Sequence, residues 1–176
     1  MSGLVTPFSF YDALQPVAFV GMKVDTMNDN VESWPADSQI LFGCVCTFGD
    51  GGVGGRGTRK VSSANNPAGP IAGIALHDHV IGAFGPGYKQ YDAVSVLTRG
   101  RVWAAVDESG AATVQEGEPV AFMADTGMVT VGVGGLAYPF ATFRSKAIQI
   151  PPVWPSTTLG KCLIAIVELH YPNFSA

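Results

Sequence analysis

Apolar positions in this chain fall in short runs broken by glycine, proline and polar residues, and no segment keeps a helical period over three turns. The runs read as strands at Val17 to Val24 (VAFVGMKV), Gln39 to Phe48 (QILFGCVCTF), Ile71 to His77 (IAGIALH) and Ala93 to Thr98 (AVSVLT). Five more follow at Arg101 to Val106, Pro119 to Ala124, Met128 to Val133, Ala141 to Ile148 and Lys161 to Leu169. Arg99-Gly100 reads as a tight connection between two of them, and Asp125-Thr126-Gly127 as a hairpin turn. Short strands with regular turn signals predict an all-β sandwich or barrel, jelly-roll-like or β-tulip-like.

Two stretches fall outside that pattern. Residues 1–16 read as an extended N-terminal arm that carries Phe8, Phe10 and Tyr11 and is closed by Pro16. It has too little sequence to bury its own aromatics, so they must pack on the body or on a neighbour. Residues 49–70 form a glycine-rich loop followed by a polar run, too long for a plain connection; loops of this kind are usually functional, flexible or ordered by a partner. Thr26 to Ser38, polar and interrupted by Trp34 and Pro35, reads as a further long loop. The expected organisation is therefore the arm plus one β-rich domain over residues 17–176.

Composition narrows the functional classes. Charged residues make up 14% of the 176, against about 25% in an ordinary soluble domain. A monomer with so thin a charged coat suggests surface hidden in an assembly. The net charge of −4 gives no general attraction for nucleic acid. No stretch has the length and apolarity of a membrane span, and the first residues lack the pattern of a signal peptide. Three cysteines, an odd number, point to free thiols in a reducing compartment. The expectation is no nucleic acid and no membrane partner.

Candidate chemistry is sparse. Gly52-Val-Gly-Gly-Arg-Gly57 matches a dinucleotide fingerprint in spacing, but the residues after it offer no helix whose N-terminus would hold a pyrophosphate. Cys44 and Cys46, His77 and His79, with Cys162 and His170, suggest a zinc site only loosely, because paired ligands in such sites stand further apart. Alternation makes Cys44 and Cys46 read rather as small core residues beside Leu41, Val45 and Phe48. No nucleophile motif or legible catalytic carboxylate pair appears, so the expectation is no enzyme, no metal and no cofactor.

Residue types suited to binding are easier to find. Arg56, Arg59 and Lys60 form a small basic group in the glycine-rich loop. Tyr88 and Tyr91 lie in a polar Gly-Pro-rich stretch, where core burial is less natural. Tyr and Arg are enriched at interface centres. With Phe8, Phe10 and Tyr11, these are the expected contact residues.

The second half carries a more specific signal. Ile71-Ala-Gly-Ile-Ala-Leu-His77, then Gly87-Tyr-Lys-Gln-Tyr-Asp92-Ala-Val-Ser-Val-Leu-Thr-Arg-Gly-Arg-Val-Trp103, then Glu116-Gly-Glu-Pro-Val-Ala-Phe122 resembles the structural cement, or head decoration, proteins of tailed bacteriophages. The resemblance covers roughly residues 71–169. It implies a β-rich body on the outside of the capsid that bridges neighbouring major capsid proteins, usually as a homotrimer and sometimes as a homodimer. The location would be the virion surface after synthesis in the host cytoplasm. It carries no catalytic residues over, and Gly73, Asp92, Gly100 and Trp103 fit turns, a bulge and core. Two alternatives remain at this stage: a tail, baseplate or head–tail connector component, and a small-barrel enzyme with a metal at His77, His79 and a cysteine.

Overall fold

A computed structural model describes residues 18–25, 29–49, 59–64, 69–82, 85–132, 134–150 and 162–170. The arm aromatics Phe8, Phe10 and Tyr11, and Arg56 with the glycine fingerprint, lie outside the described residues. The described strands are β1 (Asn30–Pro35), β2 (Ile40–Leu41), β3 (Val45–Phe48), β4 (Val61–Ser63), β5 (Ile71–Ala75), β6 (Gly87–Tyr88) and β7 (Ala93–Ala105). They continue with β8 (Pro119–Phe122), β9 (Val129–Thr130), β10 (Leu136–Phe143), β11 (Ile148–Ile150) and β12 (Cys162–Leu169). Among the described residues, helix is confined to one turn, α1 (His79–Gly82), and a 3-10 turn at Ala111–Thr113. The Asp78 carboxylate caps α1 by accepting from the N–H groups of Val80 and Ile81. The all-β expectation holds: one curled sheet runs β4-β3-β5-β7-β12-β10-β8-β9, and β2 and β6 form a small second sheet.

Strand β7 organises the molecule. The tight turn expected at Arg99-Gly100 is absent; the two predicted strands are one strand of 13 residues. Its first half pairs antiparallel with β1 (Trp34 opposite Val94) and with β5 (Ile74 opposite Leu97). Its second half, from Gly100 to Ala105, pairs with β12. The change of partner falls at Gly100, whose φ is +118° and whose missing Cβ would stand 3.0 Å from that of Asp29. A strand that turns a corner between two sheets needs a residue free of the L-residue φ limits, and only glycine satisfies that here.

Both faces of the β3-β5-β7 region are buried. Val45, Ile74, Leu97 and Val102 point into the main core with Phe122, Phe143 and Val167. Cys46, Phe48, Ala72, Val94 and Val96 point the other way, into a second core closed by Ala36, Ile40, Phe42, Val61 and Tyr88. Two buried faces explain why β3 reads as a continuous apolar run rather than an alternating one.

Three further expectations change. Thr26 to Ser38 contains strand β1, in which Asn30, Val31 and Ser33 are exposed and Glu32 and Trp34 are half-buried, Trp34 packing on the second core. In Val17 to Val24 the described part forms no named strand; only Lys23 bridges, to Val102. Gln39 to Phe48 splits into β2 and β3. By contrast, β5, β8 and β12 form within their predicted runs, and β8 and β9 pair across the predicted Asp125-Thr126-Gly127 turn. Gly73, a position expected to allow a bulge or a tight turn, lies at a register shift between β3 and β5.

Candidate functional site

Residues far apart in sequence meet at one corner of the β1 side. Lys89 to Asp92 form a β-turn: the Asp92 N–H donates to the Lys89 carbonyl at 3.1 Å, and the Lys89 N–H donates to the Asp92 carboxylate at 2.7 Å. Tyr91 occupies its third position at φ +73°, a place turns usually give to glycine or asparagine. The turn is tied to the end of β1, because Tyr91 N–H donates to Ala36 O and Ala36 N–H to Asp92 O, both at 2.8 Å. Tyr91 is left 72% exposed.

The same end of β1 brings in the basic pair. Ala36 bridges to Val61, and Asp37 N–H donates to Val61 O at 2.8 Å, which sets Lys60 beside Asp37. The Lys60 ammonium donates to the Asp37 carboxylate at 3.2 Å and lies 5.7 Å from the centre of the Tyr91 ring. The Arg59 guanidinium lies 5.0 Å over the Phe48 ring, which meets Trp34 edge-on at 5.3 Å. Arg59 has no carboxylate partner among the described residues. An exposed ion pair and a cation–π contact of this kind are worth about 1 kcal/mol or less each, so both are readily exchanged for contacts to a partner. The corner offers an aromatic face and cationic donors to an acidic surface.

A second aromatic stands out elsewhere. Strand β10 carries a large bulge against β8: Ala137 is opposite Ala121, yet Thr142 is opposite Pro119. Phe140 lies within that bulge at φ +67° and is 59% exposed. Its carbonyl accepts the His170 N–H at 2.9 Å, and the His170 ring bonds the Thr142 hydroxyl at 2.8 Å, so the end of β12 pins the bulge. Among the described residues, Tyr91 and Phe140 are the two non-glycine residues with positive φ, and both are exposed aromatics. Holding an L-residue there costs roughly 1–2 kcal/mol, and such strain concentrates where side chains are presented for function.

A family model described as structural cement protein (E217 gp24/Pam3 gp6) matches residues 7–159. The chain belongs to this family. The cement protein also resembles a chain solved in "The capsid of Myoviridae Phage XM1", at 18% identity over 94% of this chain and 98% of that one, with a TM-score of 0.61. That likeness shows a shared fold over nearly the whole chain. No curated protein matches the sequence. The role of the protein is that of a phage capsid cement.

Within the cement protein, the sequence-predicted contact residues divide. Arg59, Lys60 and Tyr91 come together at the corner described above. Tyr88 does not join them: it is 0% exposed, its ring meets Phe42 at 5.2 Å, and its hydroxyl donates to the Leu76 carbonyl at 2.8 Å. Burial was hidden because Gly87 and Tyr88 form strand β6 against β2, inside a stretch that reads as a loop. Phe140 was not singled out from sequence; the available signal was Pro139 inside an apolar strand, which marks a bulge.

The metal-site candidates do not assemble among the described residues, where no group of three or more His, Cys, Asp or Glu is placed to hold an ion. Cys44 and Cys46 are buried core residues. Burial pushes the Cys44 thiol up to about 12 and that of Cys46 higher still, so neither offers a thiolate near neutrality. His170 is engaged with Thr142, and His77 packs against Phe42 and His79.

Proposed function

We propose that the cement protein binds the outer surface of the expanded head and bridges neighbouring major capsid protein subunits through the corner built by Arg59, Lys60 and Tyr91. The observation that carries this reading is their convergence: three residues of interface type, two from the glycine-rich loop and one from a distant turn, share one exposed corner. The cations select an acidic lattice surface, and Tyr91 supplies a rigid apolar anchor. The arm aromatics Phe8, Phe10 and Tyr11, with Arg56, are proposed as further contact residues on grounds of residue type alone. Copies act as a homotrimer, with a homodimer as the alternative, after synthesis in the host cytoplasm. The role is non-enzymatic. Contacts made only to the expanded lattice stabilise that state by mass action, and linked copies multiply a modest gain per site.

The test is binding of the full chain to expanded heads stripped of cement. Arg59→Glu with Lys60→Glu should weaken binding and flatten its dependence on salt, and Tyr91→Ser should weaken it without lowering the melting temperature. Binding unchanged by all three substitutions would overturn this corner as the contact. A few copies per virion, rather than a number comparable to the major capsid protein, would place the chain in the tail or connector.

A further inference from the structure

We infer that the outer edge of β1 takes up an extended, acidic segment of the major capsid protein as an added strand. The inference rests on the reading of the protein as a lattice-binding cement. Among the named strands, β1 pairs with β7 alone. Just past its end, the Ala36 N–H donates to Asp92 O and the Ala36 carbonyl accepts the Tyr91 N–H, so both groups of Ala36 turn toward the β7 side. Alternation along an extended chain turns Trp34 and Glu32 the same way, and Val31 and Ser33 the other. The residue opposite Ser33 agrees. The Ser95 carbonyl accepts the Leu76 N–H and the Ser95 N–H donates to the Tyr88 hydroxyl, so neither is spent on Ser33. The N–H and C=O of Val31 and of Ser33 therefore face outward with no partner among the described residues, and both residues are exposed. A bridge from Ala36 to Val61 closes the edge beyond Pro35.

An open edge of this kind can accept a further strand, with backbone hydrogen bonds for affinity and the neighbouring side chains for choice. Here the neighbours select for acid. Arg59, Lys89, Arg99 and Lys146 are the described cations without a carboxylate partner. All but Lys146 stand at the ends of β1. Arg99 is opposite Asn30, Lys89 is in the turn bound to Ala36, and Arg59 lies over Phe48, against which Trp34 packs. The carboxylates close by are already engaged: Asp29 by Lys23, Asp37 by Lys60, Glu32 by the Asn30 amide and Asp92 by the Lys89 N–H.

The same charges argue against a second copy of this edge as the occupant. Antiparallel pairing of β1 with itself would bring the Arg99 end of one copy against the Arg59 and Lys89 end of the other, cation to cation. An acidic strand from another protein meets no such cost and finds a cation at each end.

The test is binding of the full chain to expanded heads stripped of cement, with Ser33→Pro, Val31→Pro, Ser33→Ala and Arg99→Glu. Proline is tolerated on a sheet edge where the N–H it removes faces outward, so both proline variants should melt like the wild type. Each should bind heads roughly tenfold more weakly, because a strand hydrogen bond is lost and the ring stands where the added strand would lie. Ser33→Ala keeps the N–H and should bind like the wild type, and Arg99→Glu should weaken binding. Val31→Pro keeps the test decisive if Ser33→Pro folds poorly; two proline variants that both unfold would show these N–H groups in use within the fold and overturn the inference. Proline variants that bind heads like the wild type overturn it and leave the cement reading intact. A wild type that never binds heads overturns both. Ser33→Ala weakening as much as Ser33→Pro assigns the effect to the side chain and overturns the added strand. Weak proline variants beside an Arg99→Glu of wild-type strength overturn the acidic character of the segment. Copies that dissociate in Ser33→Pro, read by sedimentation equilibrium, assign the edge to a second copy and overturn the inference as well.

Discussion

A Cβ added to Gly73 would stand 2.2 Å from the carbonyl oxygen of Leu97. That distance is well inside van der Waals contact, and the obstacle is backbone of the central strand β7. The φ of Gly73, +149°, is also one that L-residues rarely adopt. Gly73→Ala should therefore destabilise the fold by about 3 kcal/mol or more, as overpacking against an immobile backbone does. Chemical denaturation would check it; a midpoint within error of the wild type would mean that β5 can move away from β7 freely.

The two tyrosines of the Gly-Pro-rich stretch should separate stability from binding. Tyr88→Phe removes the donor to the Leu76 carbonyl and leaves that buried acceptor short of a partner, at a cost of about 1–2 kcal/mol. Head binding should stay unchanged. Tyr91→Ser should do the reverse, since its ring is outside the core. Thermal melts and head-binding isotherms of the two variants, run side by side, would expose any mixing of the roles.

Stability should fall as pH drops below the ordinary histidine range. Burial holds His77 below the usual histidine value of 6.5, and the charge of His79 adds to this, while Asp78 pulls the other way. The folded state therefore favours neutral His77 more than the unfolded chain does. The contribution is fully present above pH 6.5 and is lost as pH falls through the lower folded value. A second loss follows in the carboxylate range: burial raises Glu168, but the hydrogen bond from Arg144 and the charges of Arg144, Arg101 and His170 outweigh that and hold it down. His77→Gln should remove the first step and keep the second in a series of melts against pH. A wild-type curve flat from neutrality to the carboxylate range would contradict the assignment.

Thiol reactivity should follow burial. Of the three cysteines, Cys162 is half-buried and Cys44 and Cys46 are buried with raised pKa values. A thiol reagent near neutrality should modify Cys162 first and reach the other two only after unfolding. Fast modification of all three in the folded protein would mean that the second core opens readily.

What the sequence revealed, and what it hid, has physical causes. Strands β5, β8 and β12 were legible because their apolar runs are bounded by breakers and pair with ordinary neighbours. β7 was misread because Arg99-Gly100-Arg101 has the composition of a turn; its glycine instead serves a corner between two sets of partners, a property of the pairing and not of the local residues. β1 was misread because the large apolar residues of NVESWP, Val31 and Trp34, stand three apart and leave no alternating pattern to read. At the candidate site, Arg59, Lys60 and Tyr91 were recognisable by type. Their adjacency was not, since it depends on Ala36 reaching both Val61 and the turn at Tyr91. Tyr88 failed for the complementary reason: a residue type common at interfaces is also a good core residue once its hydroxyl finds a carbonyl.

The unbroken course of β7 also decides how the body carries load. Its first half is laced to β1 and β5, and its second half to β12 and, through Val24, Trp103 and Gly21, to the segment before Asp25. Tension along this strand loads those ladders in shear, with many hydrogen bonds stretched at once, rather than peeling them one by one. A shell under internal pressure pulls on whatever clamps it, and a clamp with such a strand through its middle transmits that pull from one edge to the other through covalent backbone. Give is then confined to the peripheral contacts, so the joint between molecules should part before the molecule itself unravels.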